Sequence, residues 1–200
     1  EALAGRDVLA ILPTGGGKSI CFQVPALMKD GICLVVSPLI ALMKDQVQNL
    51  RDRGIPALAV YSGMTYREID IALDNAIYGD YKFLYVSPER LRSDLFKARV
   101  ARMNVTQLVV DEAHCISQWG YDFRPDYLEI AGIRQIIGTS VPVVALTATA
   151  TPEVARDIQE KLQFRHENLL QGSFERPNLS YVFRQTDNKM GQLPRVCQGV

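Results

Sequence analysis

Lys18 and Ser19 directly after three glycines, and Asp111 and Glu112 directly after an apolar run, are the residues whose types and spacing can do chemistry on a phosphate. The first group lies in LPTGGGKS at 12–19. Thr14 opens a sharp turn, and Gly15, Gly16 and Gly17 allow backbone angles closed to other residues and let N–H groups approach an anion. Helix-forming residues follow from Lys18, so a bound phosphate would sit at a helix N-terminus, where unpaired N–H groups and the helix dipole favour negative charge. Lys18 would reach the outer phosphates and Ser19 would hold magnesium. Leu12 stands where the strict GxxxxGK[ST] pattern has its first glycine, a departure that leaves this mechanism intact.

The second group ends the apolar run Thr106 to Val110. Carboxylates at the C-terminal end of a central parallel strand lie in the crevice where such sheets bind ligands. One can hold Mg2+ through water and the other can orient or deprotonate an attacking water; we assign the metal to Asp111 and the water to Glu112. Both groups in one chain, in this order, point to an ATP-driven machine.

The elements that must position these groups follow from the hydrophobic pattern. Val8 to Leu12 is short enough for a strand buried on both faces, and Pro13 stops it. Strands at 8–12, 32–36, 57–61, 82–86, 106–110 and 142–146 alternate with helices at 18–28, 39–53, 65–78, 89–102, 126–137 and 152–162. This alternation predicts an α/β fold, a mostly parallel central sheet with helices on both faces. Right-handed crossovers would place the motif-bearing strand ends on one edge. Gly54 is placed to end one helix, and Thr151 before Pro152 to cap another.

Two junctions resemble each other, Val35-Val36-Ser37-Pro38 and Tyr85-Val86-Ser87-Pro88. Each serine is suited to cap the helix that follows, with proline at its first position. On the functional alternative, the two helix starts grip successive phosphates of a nucleic-acid strand, with Lys44 and Arg90 as nearby donors.

Two hundred residues at 48% hydrophobic content suffice for one substantial core. The net charge is zero, so a polyanion must be met by a local surface. The stretch from Arg90 to Arg102 is the most basic candidate, with a solvated helix face as its alternative. Cys21, Cys33, Cys115 and Cys197 show no CxxC spacing, which argues against a zinc site, and Cys21 and Cys33 read as small buried residues of a reducing compartment. No apolar run has membrane length, so no membrane partner is expected.

The motifs together resemble those of the RecQ-family DNA helicases: LPTGGGKS, SPLIALMKDQV at 37–47, SPERL at 87–91, DEAHCISQWGYDFRPDY at 111–127, LTATAT at 146–151 and FERPNL at 174–179. The resemblance implies the first of two RecA-like domains, P-loop NTPase modules that sandwich ATP and move 3′ to 5′ on single-stranded DNA. It implies that Thr14, Gly15, Gly16, Gly17, Lys18 and Ser19 hold phosphates and magnesium, and that His114 links the nucleotide site to the DNA-sensing loop or the other domain. The loop from Ser117 to Tyr127 is then the aromatic sensor of single-stranded DNA. Trp119 and Phe123 offer faces for bases, Arg124 a partner for phosphate or carboxylate, and Gln118 a hydrogen bond to either side. Thr147 and Thr149 would couple hydrolysis to movement. Tyr121 stands where the family more commonly has His.

The start at Glu1 without methionine and the end at Val200 in a helical-looking stretch mark an expected fragment. Residues 1–184 would be the first RecA-like domain and 185–200 a linker or the start of the second. The adenine-recognising glutamine segment would precede Glu1, and the arginine finger would follow Val200. The fragment alone is expected to be nearly inactive. Its partners would be single-stranded and partly duplex DNA and the absent second domain. The expected location is cytoplasmic, with the nucleoid if bacterial and in the nucleus if eukaryotic. Two other readings stay open: an RNA helicase or other translocase on this scaffold, and a DNA-binding module that does not hydrolyse ATP.

Overall fold

Apolar runs too short for buried helices become the strands of one sheet in the computed structural model, which describes residues 1–13, 15, 17–173 and 185. Thr14, Gly16, FERPNL at 174–179, Cys197 and the expected domain border, apart from Gln185 itself, lie outside the described residues. The strands are β1 (Val8–Ile11), β2 (Ile32–Val36), β3 (Ala57–Val60), β4 (Phe83–Val86), β5 (Val105–Val110), β6 (Val143–Thr147) and β7 (Leu169–Gln171). They pair in the order β3-β4-β2-β5-β6-β1-β7, and every pairing is parallel. β5, with its acidic end, is therefore central.

Alternate strand side chains feed two cores. Leu9, Ile11, Leu34, Val36, Leu108 and Val110 face one side, where α3 (Tyr66–Tyr78), α4 (Asp94–Val100), α5 (Glu129–Ile137) and α6 (Pro152–Lys161) contribute residues such as Leu73, Phe96, Ile130 and Ile158. Val8, Ala10, Cys33, Val35 and Val109 face the other, where α1 (Lys18–Leu27) supplies Phe22 and Ala26 and α2 (Ile40–Asp52) supplies Met43, Val47 and Leu50. A parallel sheet so covered explains why its strands read as unbroken apolar runs.

The register aligns the strand ends that matter. Val36 pairs with both Val86 and Val110, and Ile11 pairs with Thr147. Ser37, Ser87, Asp111 and the turn after β1 consequently share one edge. Gly54 ends α2 in the left-handed region at φ 73, and the Thr151 side chain caps α6 by accepting from Val154 N. No described helix is long and apolar enough to cross a membrane.

Several elements differ from the sequence reading. The helix expected at 89–102 is a 3-10 turn at Pro88–Arg92 followed by α4, because Ser93 caps a new helix by accepting from Phe96 N. The helix expected at 126–137 begins as a 3-10 turn at Pro125–Leu128, where Pro125 sets the first position. β7 was not anticipated: its three residues are exposed at the sheet edge, so no burial pattern marks them. Cys33 is buried as expected, but Cys21 is exposed, on the outward side of α1.

Candidate functional site

A cleft of about 400 Å3 opens at the C-terminal edge, lined by Gly15, Gly17, Lys18, Ser19, Ser37, Gln46, Tyr85, Asp111 and Glu112. The loop after β1 gains its shape from glycine: Gly15 and Gly17 sit at φ 80 and φ 74, and Gly17 is the N-cap of α1. No heavy atom lies within 4 Å of where a Cβ would be on either, so the two residues leave open space in front of the helix N-terminus. Lys18 Nζ reaches back to the Leu12 carbonyl at 3.5 Å, a long bond that an anion can replace. Ser19 Oγ accepts from Gln46 Nε2 at 3.1 Å, and Gln46 in turn accepts from Gln23, which also approaches the Tyr85 hydroxyl. This glutamine relay from α1 and α2 had no signature in the sequence.

Asp111 is largely buried at the end of β5. Its oxygens accept from Ser37 Oγ at 3.1 Å and from Glu112 N at 3.0 Å, both neutral donors. Burial raises its pKa above the usual carboxylate range. Burial raises Glu112 too, followed by the charge of Asp111. Two adjacent, partly buried carboxylates with a serine hydroxyl opposite are a hard-oxygen donor set, which fits a magnesium ion. Glu112 occupies the left-handed region at φ 46, which costs a non-glycine residue about 1 kcal/mol or more and turns the chain directly into the 3-10 turn Ala113–Ile116. Tyr127, fully buried, donates from its hydroxyl to the Asp111 carbonyl at 2.9 Å and ties the far end of the aromatic loop to the acidic pair.

His114 is the junction between the cleft and that loop. Its Nδ1 lies 2.9 Å from Thr147 Oγ1 and 3.3 Å from Glu112 Oε2. Its ring stacks on Tyr121 with centroids 5.0 Å apart, and the Tyr121 hydroxyl is 3.5 Å from Thr149 Oγ1. Tyr121 thus supplies a flat face against His114. Trp119 is 76% exposed, Gln118 is exposed, and Phe123 is half-buried. Arg124 pairs with Asp122 through Nε and Nη2.

The remaining residues singled out from sequence divide. Ser37 does not cap α2: that helix starts at Ile40 with Leu39 as N-cap, and the serine hydroxyl is taken by Asp111 instead. Ser87 is the N-cap residue of a 3-10 turn, yet its buried hydroxyl makes no side-chain cap bond. Lys44 is exposed, with its ammonium 4.7 Å from the centre of the Tyr61 ring. Arg90 is half-buried. Most of the basic stretch beyond it is neutralised locally: Arg92 pairs with Asp126, Lys97 with Glu129 and Arg99 with Asp70. Its charge alone therefore overstates it as a nucleic-acid surface.

Residues 1–158 match the DEAD/DEAH box helicase family. The chain is 43% identical over 194 residues to the ATP-dependent DNA helicase RecQ of Haemophilus influenzae, covering 97% of this chain and 31% of that protein. It is 43% identical over 196 residues to the probable ATP-dependent DNA helicase RecS of Bacillus subtilis, covering 98% of this chain and 39% of that protein. It therefore spans about a third of the length of these curated relatives. Among solved structures, the Pyrococcus furiosus Hef helicase domain superposes with a TM-score of 0.66 at 23% identity, over 88% of this chain and 36% of that one, a likeness of fold. The chain belongs to the DEAD/DEAH box helicase family, in its RecQ-like branch.

Proposed function

We propose that this chain is the first motor domain of a 3′ to 5′ DNA helicase and couples ATP hydrolysis to movement along single-stranded DNA. The observation that carries this reading is the chain of contacts from Glu112 through His114 to Tyr121, whose ring lines one pocket with His114 and the exposed Trp119 beside the phosphate cleft. Gly15, Gly17, Lys18 and Ser19, with Thr14 and Gly16 between and before them, would bind the phosphates. Ser19 and Asp111 would hold Mg2+, which when bound neutralises the phosphate charge. Glu112 would accept a proton from the attacking water.

DNA would cross the same edge. The exposed Lys44 and the half-buried Arg90 would meet its phosphates, with the buried Ser37 and Ser87 shaping the turns beneath them, while Trp119 and Phe123 take its bases, a stacking worth about 1–3 kcal/mol per base. Gln118 and Arg124 would complete that platform, and His114, Thr147 and Thr149 would transmit its occupancy to Glu112. A second RecA-like domain would supply an arginine finger, worth about 10³–10⁵ in turnover in related phosphoryl-transfer systems. Residues 1–184 alone should accordingly turn ATP over very slowly. The protein would reside with DNA, in the nucleoid or nucleus.

The full-length parent distinguishes this reading from an RNA helicase. Its ATP turnover should rise more with single-stranded DNA than with RNA of equal length, whereas equal or greater stimulation by RNA would remove DNA as the track.

A further inference from the structure

The turn after the DEAH string folds Asp122 back onto the adjacent His114 and Cys115. Cys115 Sγ lies 3.8 Å from His114 Nε2 and 3.6 Å from an Asp122 carboxylate oxygen, and the three ligand atoms all fall within 4.8 Å of one another. Zinc bonds of about 2.3 Å to sulfur and 2.0–2.2 Å to nitrogen or oxygen, at tetrahedral angles, place such ligands about 3.5 Å apart. The two distances to sulfur are already close to that edge.

The hydrogen bonds around His114 set its tautomer. Thr147 Oγ1 gives its proton to the Thr149 carbonyl at 3.1 Å, so it accepts from His114 Nδ1–H, and the Glu112 carboxylate is a second acceptor for that proton. The Nε2 lone pair is left facing Cys115. A ligating histidine commonly donates its other nitrogen to a carboxylate or hydroxyl in this way. The Cys115 thiol donates to Asp122 Oδ2, the oxygen that also accepts from Arg124 Nε and Nη2, so a cation would take the place of the thiol proton while Arg124 swings to the other carboxylate oxygen.

We propose that His114, Cys115 and Asp122 form a site for a thiophilic divalent cation of the zinc class, separate from the magnesium position between Ser19 and Asp111. On binding, the Cys115 S–H bond breaks, its proton leaves to solvent, and a metal–sulfur bond forms. Thiolate and carboxylate set two negative charges against the dication, with the Arg124 guanidinium beside the carboxylate, and the fourth position is left for water. Burial holds the Cys115 thiol up at about 12 in the absence of metal, so binding tightens as pH rises. Asp122 stays ionised because Arg124 bonds to it. The bound ion ties the DEAH string to the loop carrying Trp119. Suppression of DNA-stimulated turnover by zinc rests on the coupling role proposed above; the binding itself does not.

Cobalt(II) and zinc added to this chain test the site directly, because Trp119 is the single tryptophan and lies between the ligands in sequence. Cobalt should give a thiolate-to-metal absorption band of one-to-one stoichiometry and quench the tryptophan, and zinc should displace it. Cys115→Ser should remove the band, and Asp122→Asn, at a partly exposed position, should weaken binding by about tenfold or more. Thr147→Val, which removes the acceptor behind His114, should weaken it by about 10–100-fold. Cys21→Ser and Cys197→Ser should leave the band unchanged. Absence of a band, or one that survives Cys115→Ser, overturns the proposal, and neither result bears on phosphate chemistry at Lys18.

Discussion

Asp111 and Glu112 are carboxylates that burial holds protonated to higher pH than usual, and this has opposite consequences for stability and for activity. Between the ordinary carboxylate range and their raised values the native state binds more protons than the unfolded one. Stability from these groups is therefore full at low pH and lost as pH rises through the native values. Asp111→Asn should raise the melting temperature of this chain at pH 7 while abolishing magnesium-dependent turnover in the parent, which thermal melts and ATP assays read separately. The acid limb of the parent's turnover should lie above the pH where an ordinary glutamate titrates, and Glu112→Gln should cut turnover by about 10²–10⁴-fold with nucleotide binding retained. That Lys18, Ser19, Asp111 and Glu112 meet in one cleft was legible, because the ends of neighbouring parallel strands share one edge. The Gln46–Ser19 bond was not, because a hydrogen bond between two helices leaves no periodic trace.

At the scale of elements, the sequence reads best where burial imposes a period. All six expected strands form within a residue or so of their expected limits, since a sheet covered on both faces leaves few polar positions in them, Thr106, Gln107 and Thr147 being the exceptions. β7 escaped because an exposed edge strand carries no such pattern. The break between Pro88–Arg92 and α4 depends on whether Ser93 bonds to Phe96 N, a local competition that composition does not decide. The Tyr127 hydroxyl performs a comparable local task by holding the aromatic loop beneath β5. Tyr127→Phe should cost about 1 kcal/mol of stability in denaturant melts, with the fold retained. Thr151→Ala should cost a similar amount, about 1 kcal/mol, through loss of the α6 cap.

Across the whole molecule, one buried cluster joins segments far apart in the chain. Asp7, before β1, accepts from Arg134 Nη2 at 2.7 Å, from Val143 N and from Arg165, while Arg134 Nη1 donates to the carbonyls of Leu162 and Gln163. Both Asp7 and Arg134 are almost fully buried. Nothing in the sequence linked them, since only the tertiary fold makes them neighbours. Arg134→Ala removes the fully buried partner of Asp7 and leaves the Leu162 and Gln163 carbonyls without their donor, and should cost about 3–5 kcal/mol in denaturant melts. Burial raises the Asp7 pKa, but the bonds from Arg165, Val143 and Arg134 outweigh it and lower the value overall, so stability from this group is present above the ordinary aspartate range and lost as pH falls through the native value. This cluster ties β1, α5, β6 and the end of α6 together at the edge opposite the cleft. In the proposed function, Trp119 would report DNA to Glu112 through His114. ATP turnover of the full-length parent, with and without single-stranded DNA, tests it most directly in wild type, Lys18→Ala and Trp119→Ala. Lys18→Ala should show no turnover, and Trp119→Ala a preserved basal rate with most of the DNA stimulation lost. Undiminished DNA stimulation in Trp119→Ala would contradict it.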